Sequence, residues 1–404
     1  MKKQRPHLRK HAVTLLHDVI ILGVVVALLA MVATPPITQF LESNKKEPVR
    51  QVVAKPNTKQ IALPIAQPAS YGVAFGDTLR GLSDAELNKQ MTDIATIGFG
   101  WLRTDFDWWA LQPENANKWD WYQYDRVVEA AKAHNIKILA VLTRTPPWAR
   151  ANGCTDDGCA PASSAAYGKY VKQVVARYAP KGVHTWEIWN EPNLAGFWGP
   201  KANAAAYTRF LKEAYAQIKL ADPMSQVISG GISSLDDNPN SIEQLTFLKQ
   251  MYAAGAKPYF DSLGYHAYSY PAMPNTVRAW SGWSKISALK PSLRSIMTDN
   301  GDVNKLIWIT EFGAPTDGPG GVASTQGYVE GQQPYHLTED ALSLSAQQAA
   351  TYVEQSPWMA GMFWYSYKDL GTDKADNENF FGIFRKDGSR KQVYATLQEL
   401  LKKQ

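Results

Sequence analysis

The sequence of 404 residues is poor in the residues on which several protein classes depend. It contains two cysteines and seven histidines, three of which precede residue 18, and no His-x-His pair occurs. Catalytic metal clusters gather several histidines and carboxylates, so no metal is expected. No glycine-rich phosphate loop follows the first β-rich segment, and no repeat of about 20 to 50 residues is evident. These absences argue against a dinucleotide-binding fold and a repeat protein, and no cofactor is expected.

Excess positive charge is confined to the N-terminal part of the chain. The net charge is +5, and residues 1–50 hold eight Lys or Arg against three Asp or Glu, which leaves 34 of each in the remainder. A surface that binds nucleic acid needs a local cationic excess in the folded part. Nucleic acid is therefore not an expected partner.

The first 33 residues combine a basic flank with a long apolar run. Five Lys or Arg occur in the first eleven residues, and residues 12–33 form a stretch of about 22 mostly apolar residues, close to the roughly 20 that cross a bilayer. The expected organisation is a cytoplasmic tail (1–11), a membrane anchor or signal segment (12–33), a linker (34–69) and an exported domain (70–404). Small residues are poorly placed for cleavage, so a single-pass inner-membrane anchor is favoured over a cleaved signal. The domain is expected to be monomeric.

The two cysteines, Cys154 and Cys159, are separated by four residues in the sequence Gly-Cys-Thr-Asp-Asp-Gly-Cys. In an exported protein this spacing favours a disulfide that closes a short loop. A metal site would need two further ligands, and free thiols are the other alternative.

Eight short β-rich runs alternate with amphipathic stretches between residue 70 and the C-terminus. Helix starts are recognisable at Ser83, where Glu86 can complete a capping box, and before the stretches 163–178, 203–220, 339–354 and 392–402. This alternation predicts parallel crossovers and, with eight units, a closed (β/α)8 TIM barrel of the α/β class. The strand candidates are 71–75, 101–105, 136–142, 184–190, 226–230, 261–267, 306–310 and 362–366.

Two glutamates stand at the ends of predicted strands. The fourth strand continues into Trp-Asn-Glu-Pro-Asn, which contains Glu191, and the seventh into Thr-Glu-Phe-Gly, which contains Glu311. Side chains at the C-terminal ends of barrel strands converge on one face. Glycosidic bond cleavage requires two carboxyl groups there, and the neighbouring Asn190 could donate to a sugar 2-hydroxyl. Each glutamate alone could equally be a surface acid.

Together, the two motifs resemble the clan A retaining glycoside hydrolases, and family 39, with its exopolysaccharide hydrolases, is the most similar. The likeness extends from about residue 70 to the C-terminus. It implies β-linked sugars, retention of anomeric configuration, Glu191 as acid/base and Glu311 as nucleophile. A carboxylate separation of about 5 to 5.5 Å would agree with retention, and roughly 6.5 Å or more with inversion.

The resemblance also implies supporting site residues. Arg103 would keep the nucleophile ionised, His266 and Tyr268 of Gly-Tyr-His-Ala-Tyr would lie at the site, and Trp364 would form a sugar platform. Arg103 could instead be a structural ion-pair partner, with Glu187 as its buried counterpart, and His266 an ordinary packed histidine. Aromatic faces stack on sugar rings, and Trp148, which follows the third strand, is the other tryptophan expected at a subsite.

The predicted function is an endo-acting retaining hydrolase of a bacterial exopolysaccharide. The alternatives are a metal-dependent hydrolase, a catalytically silent polysaccharide-binding barrel and a transglycosylase. The glycine-rich segment 315–333 is either a lid over the site or a surface insertion, and a lid would favour exo-action.

Overall fold

The structure, a computed structural model, describes residues 69–235 and 238–402. Within these ranges, eight strands form one closed barrel in which each strand is parallel to both of its neighbours. The predicted α/β barrel is therefore confirmed. The barrel strands are β1 (Ser70–Ala74), β2 (Trp101–Asp107), β3 (Lys137–Thr143), β4 (Thr185–Asn190), β5 (Gln226–Ser233), β6 (Ser262–His266), β7 (Leu306–Phe312) and β10 (Met359–Tyr365).

The segment after β7 differs from the sequence expectation. Two three-residue strands, β8 (Gly321–Ala323) and β9 (Tyr335–Leu337), pair in parallel as a separate small sheet where an irregular loop was expected. Strands this short have no readable alternation, so their sequence carries no signal. The barrel closes when β10 pairs with both β7 and β1.

Ten α-helices and five short 3-10 helices lie in the described residues. The α-helices are α1 (Asp84–Ile97), α2 (Trp108–Leu111), α3 (Tyr122–Ala133), α4 (Ser164–Tyr178), α5 (Ala204–Ala221), α6 (Gln244–Ala253), α7 (Gly282–Ser287), α8 (Leu293–Asp299), α9 (Glu339–Gln355) and α10 (Val393–Leu401). The 3-10 helices are Thr78–Gly81, Pro147–Ala149, Ala179–Lys181, Lys257–Tyr259 and Asn377–Phe380. None of the described helices is long and apolar enough to cross a membrane, and the predicted anchor lies outside the described residues.

Polar side chains determine where several helices begin. The predicted capping box is present at α1, where the hydroxyl of Ser83 accepts from the backbone N–H of Glu86 and the Glu86 carboxylate accepts from the N–H of Ser83. Ser163, Asn203 and Thr338 cap α4, α5 and α9 in the same way. Each such cap contributes about 1 kcal/mol, because it satisfies a backbone donor that the helix leaves unpaired.

Alternate residues of each strand face two different apolar layers. The barrel interior holds a cluster of strand residues that includes Trp308 and Phe363, and Trp101 and Tyr365 pack against it. Trp364 belongs to the larger core that also contains helix residues. At the C-terminal end of β10, Phe363 and Tyr365 therefore point into the barrel, and Trp364 points toward the helices.

Candidate active site

Arg103 on β2 organises the C-terminal end of the barrel. The guanidinium is completely buried and donates from Nε to Glu187 at 2.6 Å, from Nη1 to Glu311 at 2.6 Å and from Nη2 to the side-chain oxygen of Asn190 at 2.7 Å. The interpretation of Glu187 as a buried partner of Arg103 agrees with this geometry, and Thr310 donates to its other oxygen at 2.9 Å. Arg103 thereby connects strands β4 and β7 across the barrel.

The carboxylate of Glu311 receives donors on both oxygens. Arg103 reaches Oε1, and the hydroxyl of Tyr268 donates to Oε2 at 2.8 Å. Burial raises the pKa of Glu311, but the positive charges of His266 and Arg103 and the hydrogen bond from Tyr268 outweigh it and hold the pKa below its ordinary value. Glu311 is therefore ionised at neutral pH, as a nucleophile must be.

His266 lies between the two glutamates. Its Nδ1 is 2.8 Å from Oε1 of Glu191 and 3.4 Å from Oε2 of Glu311. Burial lowers the pKa of His266, but the facing Glu311 and Glu191 raise it above its ordinary value. His266 lies beside Glu311 because the two residues are register partners on the neighbouring strands β6 and β7. On its other side, His266 is the register partner of Ser233 on β5.

The backbone at the end of β4 adopts an uncommon conformation. Trp189 has φ of 77° and Glu191 has φ of 43°, both in the left-handed region that residues other than glycine rarely occupy. Such strain costs on the order of 1–3 kcal/mol and is concentrated at functional sites. With this backbone conformation, the consecutive residues Asn190 and Glu191 both line the cavity.

Carboxylate oxygens of Glu191 and Glu311 and a nitrogen of His266 all lie within 4.8 Å of one another. Two carboxyl groups this close can act on one anomeric centre without an intervening water. The same three side chains could ligate a metal ion. However, the Arg103 guanidinium 2.6 Å from Glu311 already supplies a positive charge that would repel a cation at this position. The other potential metal ligands, Cys154 and Cys159, are joined in the expected disulfide.

The glutamates lie on the wall of a cavity of about 910 Å³. Its lining comes from the C-terminal ends of the strands and the loops that follow them. No residue of the segment 315–333 contributes to it, so in the described chain this segment is a surface insertion and not a lid over the cavity. The aromatic side chains of the lining are Phe75, Phe197, Tyr268, Tyr270, Tyr365, Tyr367 and Phe381.

Four of the predicted site residues do not line this cavity. Arg103 and His266 are buried and contact Glu311 and Glu191, so they act on the glutamates and not on the cavity wall. The other two are Trp364 and Trp148. Trp364 is 0% exposed and packs edge-to-face on Phe312 in the layer between barrel and helices. The prediction of Trp364 as a sugar platform is wrong, because its side chain points from β10 toward the surrounding helices and not into the barrel. Trp148 packs edge-to-face on Trp108 and donates from its indole nitrogen to the carbonyl of Gln112 at 2.8 Å, which turns it away from the cavity.

Several cavity residues that neighbour predicted ones were not predicted from the sequence. Tyr365, the residue after Trp364, lines the cavity. Asp105 also lines it and follows Arg103 by two positions on β2. The i, i+2 spacing would have found Asp105, because alternate residues of a strand share a face. Arg144, Glu378 and Phe381 come from loops whose course no local pattern indicates.

The disulfide loop supports one side of the cavity. Asp157, within the loop closed by Cys154 and Cys159, pairs with Arg144 at 2.8 Å, and Arg144 lies over the ring of Phe197 at 5.0 Å. Both Arg144 and Phe197 line the cavity. The loop thus holds a cationic side chain at the cavity wall.

A parallel eight-stranded barrel with two glutamates at the ends of its fourth and seventh strands is characteristic of the glycoside hydrolases of clan A. Residues 73–343, more than half of the chain, match the family model Cellulase (glycosyl hydrolase family 5). The chain belongs to this glycoside hydrolase family. The clan A resemblance inferred from the two motifs is confirmed. No curated protein sequence matches the chain.

Solved structures share the fold at low sequence identity. A family 39 glycoside hydrolase from Bacteroides cellulosilyticus WH2 superposes with a TM-score of 0.60 and 22% identity over 84% of this chain, which spans 64% of that enzyme's length. A family 39 β-xylosidase from Caulobacter crescentus gives 0.57 and 20% over 84% of this chain and 73% of that one. Xylanase 10B from Thermotoga petrophila, in complex with xylobiose, gives 0.53 and 17% over 83% and 94%.

Proposed function

We propose that the protein is a retaining glycoside hydrolase of β-linked sugars, with Glu191 as acid/base and Glu311 as nucleophile. The observation that carries this proposal is the approach of the two carboxylates to within 4.8 Å. Retaining enzymes hold their two carboxyl groups about 5–5.5 Å apart and inverting enzymes about 6.5–9.5 Å apart, so carboxylate oxygens within 4.8 Å of each other favour retention. The xylanase and β-xylosidase named among the structural neighbours support a β-linked substrate.

The two steps assign a distinct task to each carboxyl group. Glu191 gives its proton to the glycosidic oxygen while Glu311 attacks the anomeric carbon, so that the sugar–oxygen bond breaks and a glycosyl ester forms on Glu311. Glu191, now a carboxylate, takes a proton from water, whose oxygen attacks the same carbon and releases Glu311. Arg103 and Tyr268 favour Glu311 as a carboxylate, both before attack and as the leaving group.

Replacement of each glutamate by glutamine tests the assignment. Glu191→Gln and Glu311→Gln are each expected to lower kcat by at least about 10³-fold, since an acid/base and a nucleophile are both indispensable. The variant Glu330→Gln, in the segment 315–333 that stays outside the cavity, is the matched control. Proton NMR of the first product formed by the wild type should show the β-anomer. Initial release of the α-anomer, or turnover by either site variant at the control rate, would overturn the proposal.

The substrate is proposed to be a polysaccharide cleaved internally. The cavity of about 910 Å³ is at the upper end of the roughly 300–1,000 Å³ of small-molecule sites, which suits more than one sugar unit. The absence of the segment 315–333 from its lining removes the closure that exo-action would need there. Product sizing on candidate bacterial exopolysaccharides distinguishes the modes, and release of mainly monosaccharide would contradict endo-action.

Three alternative functions of the same barrel would give different experimental results. A silent polysaccharide-binding barrel would bind polymer but show no turnover that depends on Glu191. A transglycosylase would yield products longer than the substrate at high sugar concentration. A metal-dependent hydrolase would lose activity with a chelator, whereas the proposed mechanism is insensitive to it.

We further propose that the domain is exported and tethered to the inner membrane through residues 12–33. The apolar run of that segment and its basic flank support this location. Fractionation of cells that express the full chain tests it. Recovery of the full-length protein in the soluble cytoplasmic fraction would contradict the proposal.

A further inference from the structure

Asp105 is a carboxylate on the cavity wall that is left without a hydrogen-bond partner. It is 8% exposed, its Oδ1 is buried without any partner, and no described residue forms an ion pair with it. A buried ionised group without hydrogen bonds is costly and rare in native proteins. In contrast, both oxygens of Glu187, beside Arg103, and both oxygens of the nucleophile Glu311 accept hydrogen bonds. Asp105 therefore has the properties of a group whose partner is a ligand.

The position of Asp105 is fixed relative to the catalytic pair. It follows Arg103 by two residues on β2, so its side chain lies about 6–7 Å further toward the cavity mouth on the same inward face. Its backbone N–H donates to the carbonyl of Gly76 at 2.9 Å, which anchors it against the loop after β1. Arg103 cannot serve as its partner, because its three nitrogens are committed to Glu187, Glu311 and Asn190.

Charges of both signs surround Asp105, and the two strongest, Arg103 and Arg144, are already paired with other carboxylates. Asp77, on the next loop, and Glu311 repel its negative charge, and Asp107 lies one inward position further along β2. Arg103 and Arg144 attract it, but Arg144 is itself paired with Asp157 at 2.8 Å. Burial, reinforced by that repulsion, raises the pKa of Asp105 to about 6. A positive group in contact with this carboxylate would relieve both the desolvation and the repulsion.

We propose that Asp105 is the specificity-determining residue of a subsite that binds a sugar unit with a free, protonated amine next to the bond that is cleaved. This inference rests on the proposed hydrolase function and names its substrate class: β-linked polymers that contain hexosamine units without an N-acetyl group. The ammonium group donates up to three hydrogen bonds, one of which can go to the carboxylate of Asp105 where that residue lines the cavity. A hydroxyl group supplies a donor but no charge, and a uronic acid would add a further negative charge beside Asp105, Asp77 and Glu311.

The test compares three oligosaccharide series of equal length and linkage: β-linked glucose, N-acetylglucosamine and glucosamine. The wild type is expected to show a kcat/KM at least about tenfold higher on the glucosamine series, since a hydrogen bond to a charged group exceeds a neutral one by about that factor. Asp105→Asn is expected to lower the ratio of kcat/KM on the glucosamine series to kcat/KM on the glucose series to about one. A wild type that prefers glucose or N-acetylglucosamine, or a ratio unaltered in Asp105→Asn, overturns the proposal.

The control is Asp299→Asn, an exposed aspartate at the end of α8, which precedes β7 and thus ends at the opposite face of the barrel. It should keep the wild-type preference. Asp105→Asn removes an uncompensated buried charge, so its thermal midpoint should equal or exceed that of the wild type. A lower midpoint would mean that Asp105 has a structural partner, and it would overturn the proposal.

Binding to the Glu191→Gln variant separates this inference from the proposed function. Calorimetric titration with the glucosamine series should show a dissociation constant at least about tenfold lower than with the glucose series, and the double variant with Asp105→Asn should lose the difference. If the wild type cleaved none of the oligosaccharides yet this difference were found, the hydrolase assignment would fail and the amine subsite would stand. Cleavage with equal binding of both series would instead support the hydrolase and overturn the amine subsite.

Discussion

Arg103 donates from Nη1 to Oε1 of Glu311 at 2.6 Å, and neither partner is more than slightly exposed. A single guanidinium therefore fixes the orientation of the carboxylate and favours its ionised form. The same guanidinium fixes the amide of Asn190, whose oxygen it occupies, so the amide nitrogen of Asn190 remains for a ligand. The charge of the nucleophile and the orientation of a substrate contact thus depend on one residue.

Arg103→Lys is expected to lower kcat/KM by at least about 100-fold, because one ammonium cannot replace three directed bonds and a buried carboxylate loses its partner. Since Arg103 lowers the pKa of Glu311, its loss raises that pKa. Glu311 works as a carboxylate, so the acid limb of the kcat/KM profile should move to higher pH. Arg177→Lys, in the partly exposed pair with Asp125, is the matched control. An acid limb that coincides with the wild-type one would contradict this role of Arg103.

Tyr268→Phe removes the hydroxyl that donates to Oε2 of Glu311 at 2.8 Å. A drop in kcat of about tenfold is expected, with an upward shift of the acid limb smaller than that of Arg103→Lys, because a neutral donor stabilises a carboxylate less than a guanidinium does. Tyr270 lines the same cavity without a hydrogen bond to Glu311, so Tyr270→Phe serves as the control. Equal effects of the two substitutions would mean that the loss of either hydroxyl has the same consequence, and that the hydrogen bond from Tyr268 to Glu311 has no special role.

Sequence patterns predicted the barrel well because its strands alternate with helices that have polar caps. All eight predicted strands match barrel strands, and the starts at Ser83 and Ser163 were predicted from capping residues alone. The positions of Glu191 and Glu311 at strand ends then followed, since parallel strands place their C-terminal ends on one face. Arg103 and His266 were predicted from the resemblance to clan A. The site prediction benefited from the same geometry.

The direction of individual side chains was harder to predict. Strands of a parallel barrel are buried on both faces, so an apolar run such as Met-Phe-Trp-Tyr carries no polar alternation that distinguishes inside from outside. This is why Trp364 was assigned to the cavity and Tyr365 was overlooked. The direction of Asp105, in contrast, can be predicted from the sequence, because a residue two positions after Arg103 on the same strand shares its inward face.

The opposite directions of Tyr365 and Trp364 have separable consequences. Tyr365→Ala removes a ring from the cavity wall and is expected to raise KM about fivefold to tenfold. Trp364→Phe reduces a fully buried side chain and is expected to cost about 1–3 kcal/mol of stability, with KM unchanged. Michaelis kinetics and thermal melts on both variants check this contrast. A raised KM in Trp364→Phe would restore that residue as a substrate contact.

Gly231 on β5 makes room for His266. A methyl group at this position would lie 2.2 Å from Nε2 of His266 and 2.7 Å from the hydroxyl of Thr310, far inside van der Waals contact. Gly231→Ala should therefore displace the imidazole from Glu191 and lower kcat by at least about 100-fold, with an overpacking cost of about 1–3 kcal/mol. Gly81→Ala, whose methyl group meets no atom within 4 Å, is the control. Wild-type kcat in Gly231→Ala would mean that His266 has no role in positioning the glutamates.

Asp105 also makes the stability of the fold depend on pH. In the folded protein, desolvation and repulsion by Asp77 and Glu311 raise its pKa to about 6 despite attraction by Arg103 and Arg144, whereas the unfolded chain has an ordinary value near 3.8. Between these two values the folded state retains a proton that the unfolded state has lost. Stability contributed by protonated Asp105 is therefore present below about pH 4 and is lost as the pH rises through 6.

Urea unfolding at pH 4, 5, 6 and 7 measures this effect directly. The free energy of unfolding of Asp105→Asn, relative to the wild type, is expected to increase across this range by up to about 3 kcal/mol, which corresponds to a shift of two pKa units. Burial and the charge of Asp105 both raise the pKa of Asp107, so the comparison measures the unfavourable charge of Asp105 together with its repulsion of Asp107. Asp299→Asn should follow the wild-type curve at every pH. Parallel curves for Asp105→Asn and the wild type would show that the carboxylate of Asp105 is as well solvated in the folded protein as in the unfolded chain. In that case no unmet charge would remain at the cavity wall for a ligand to balance.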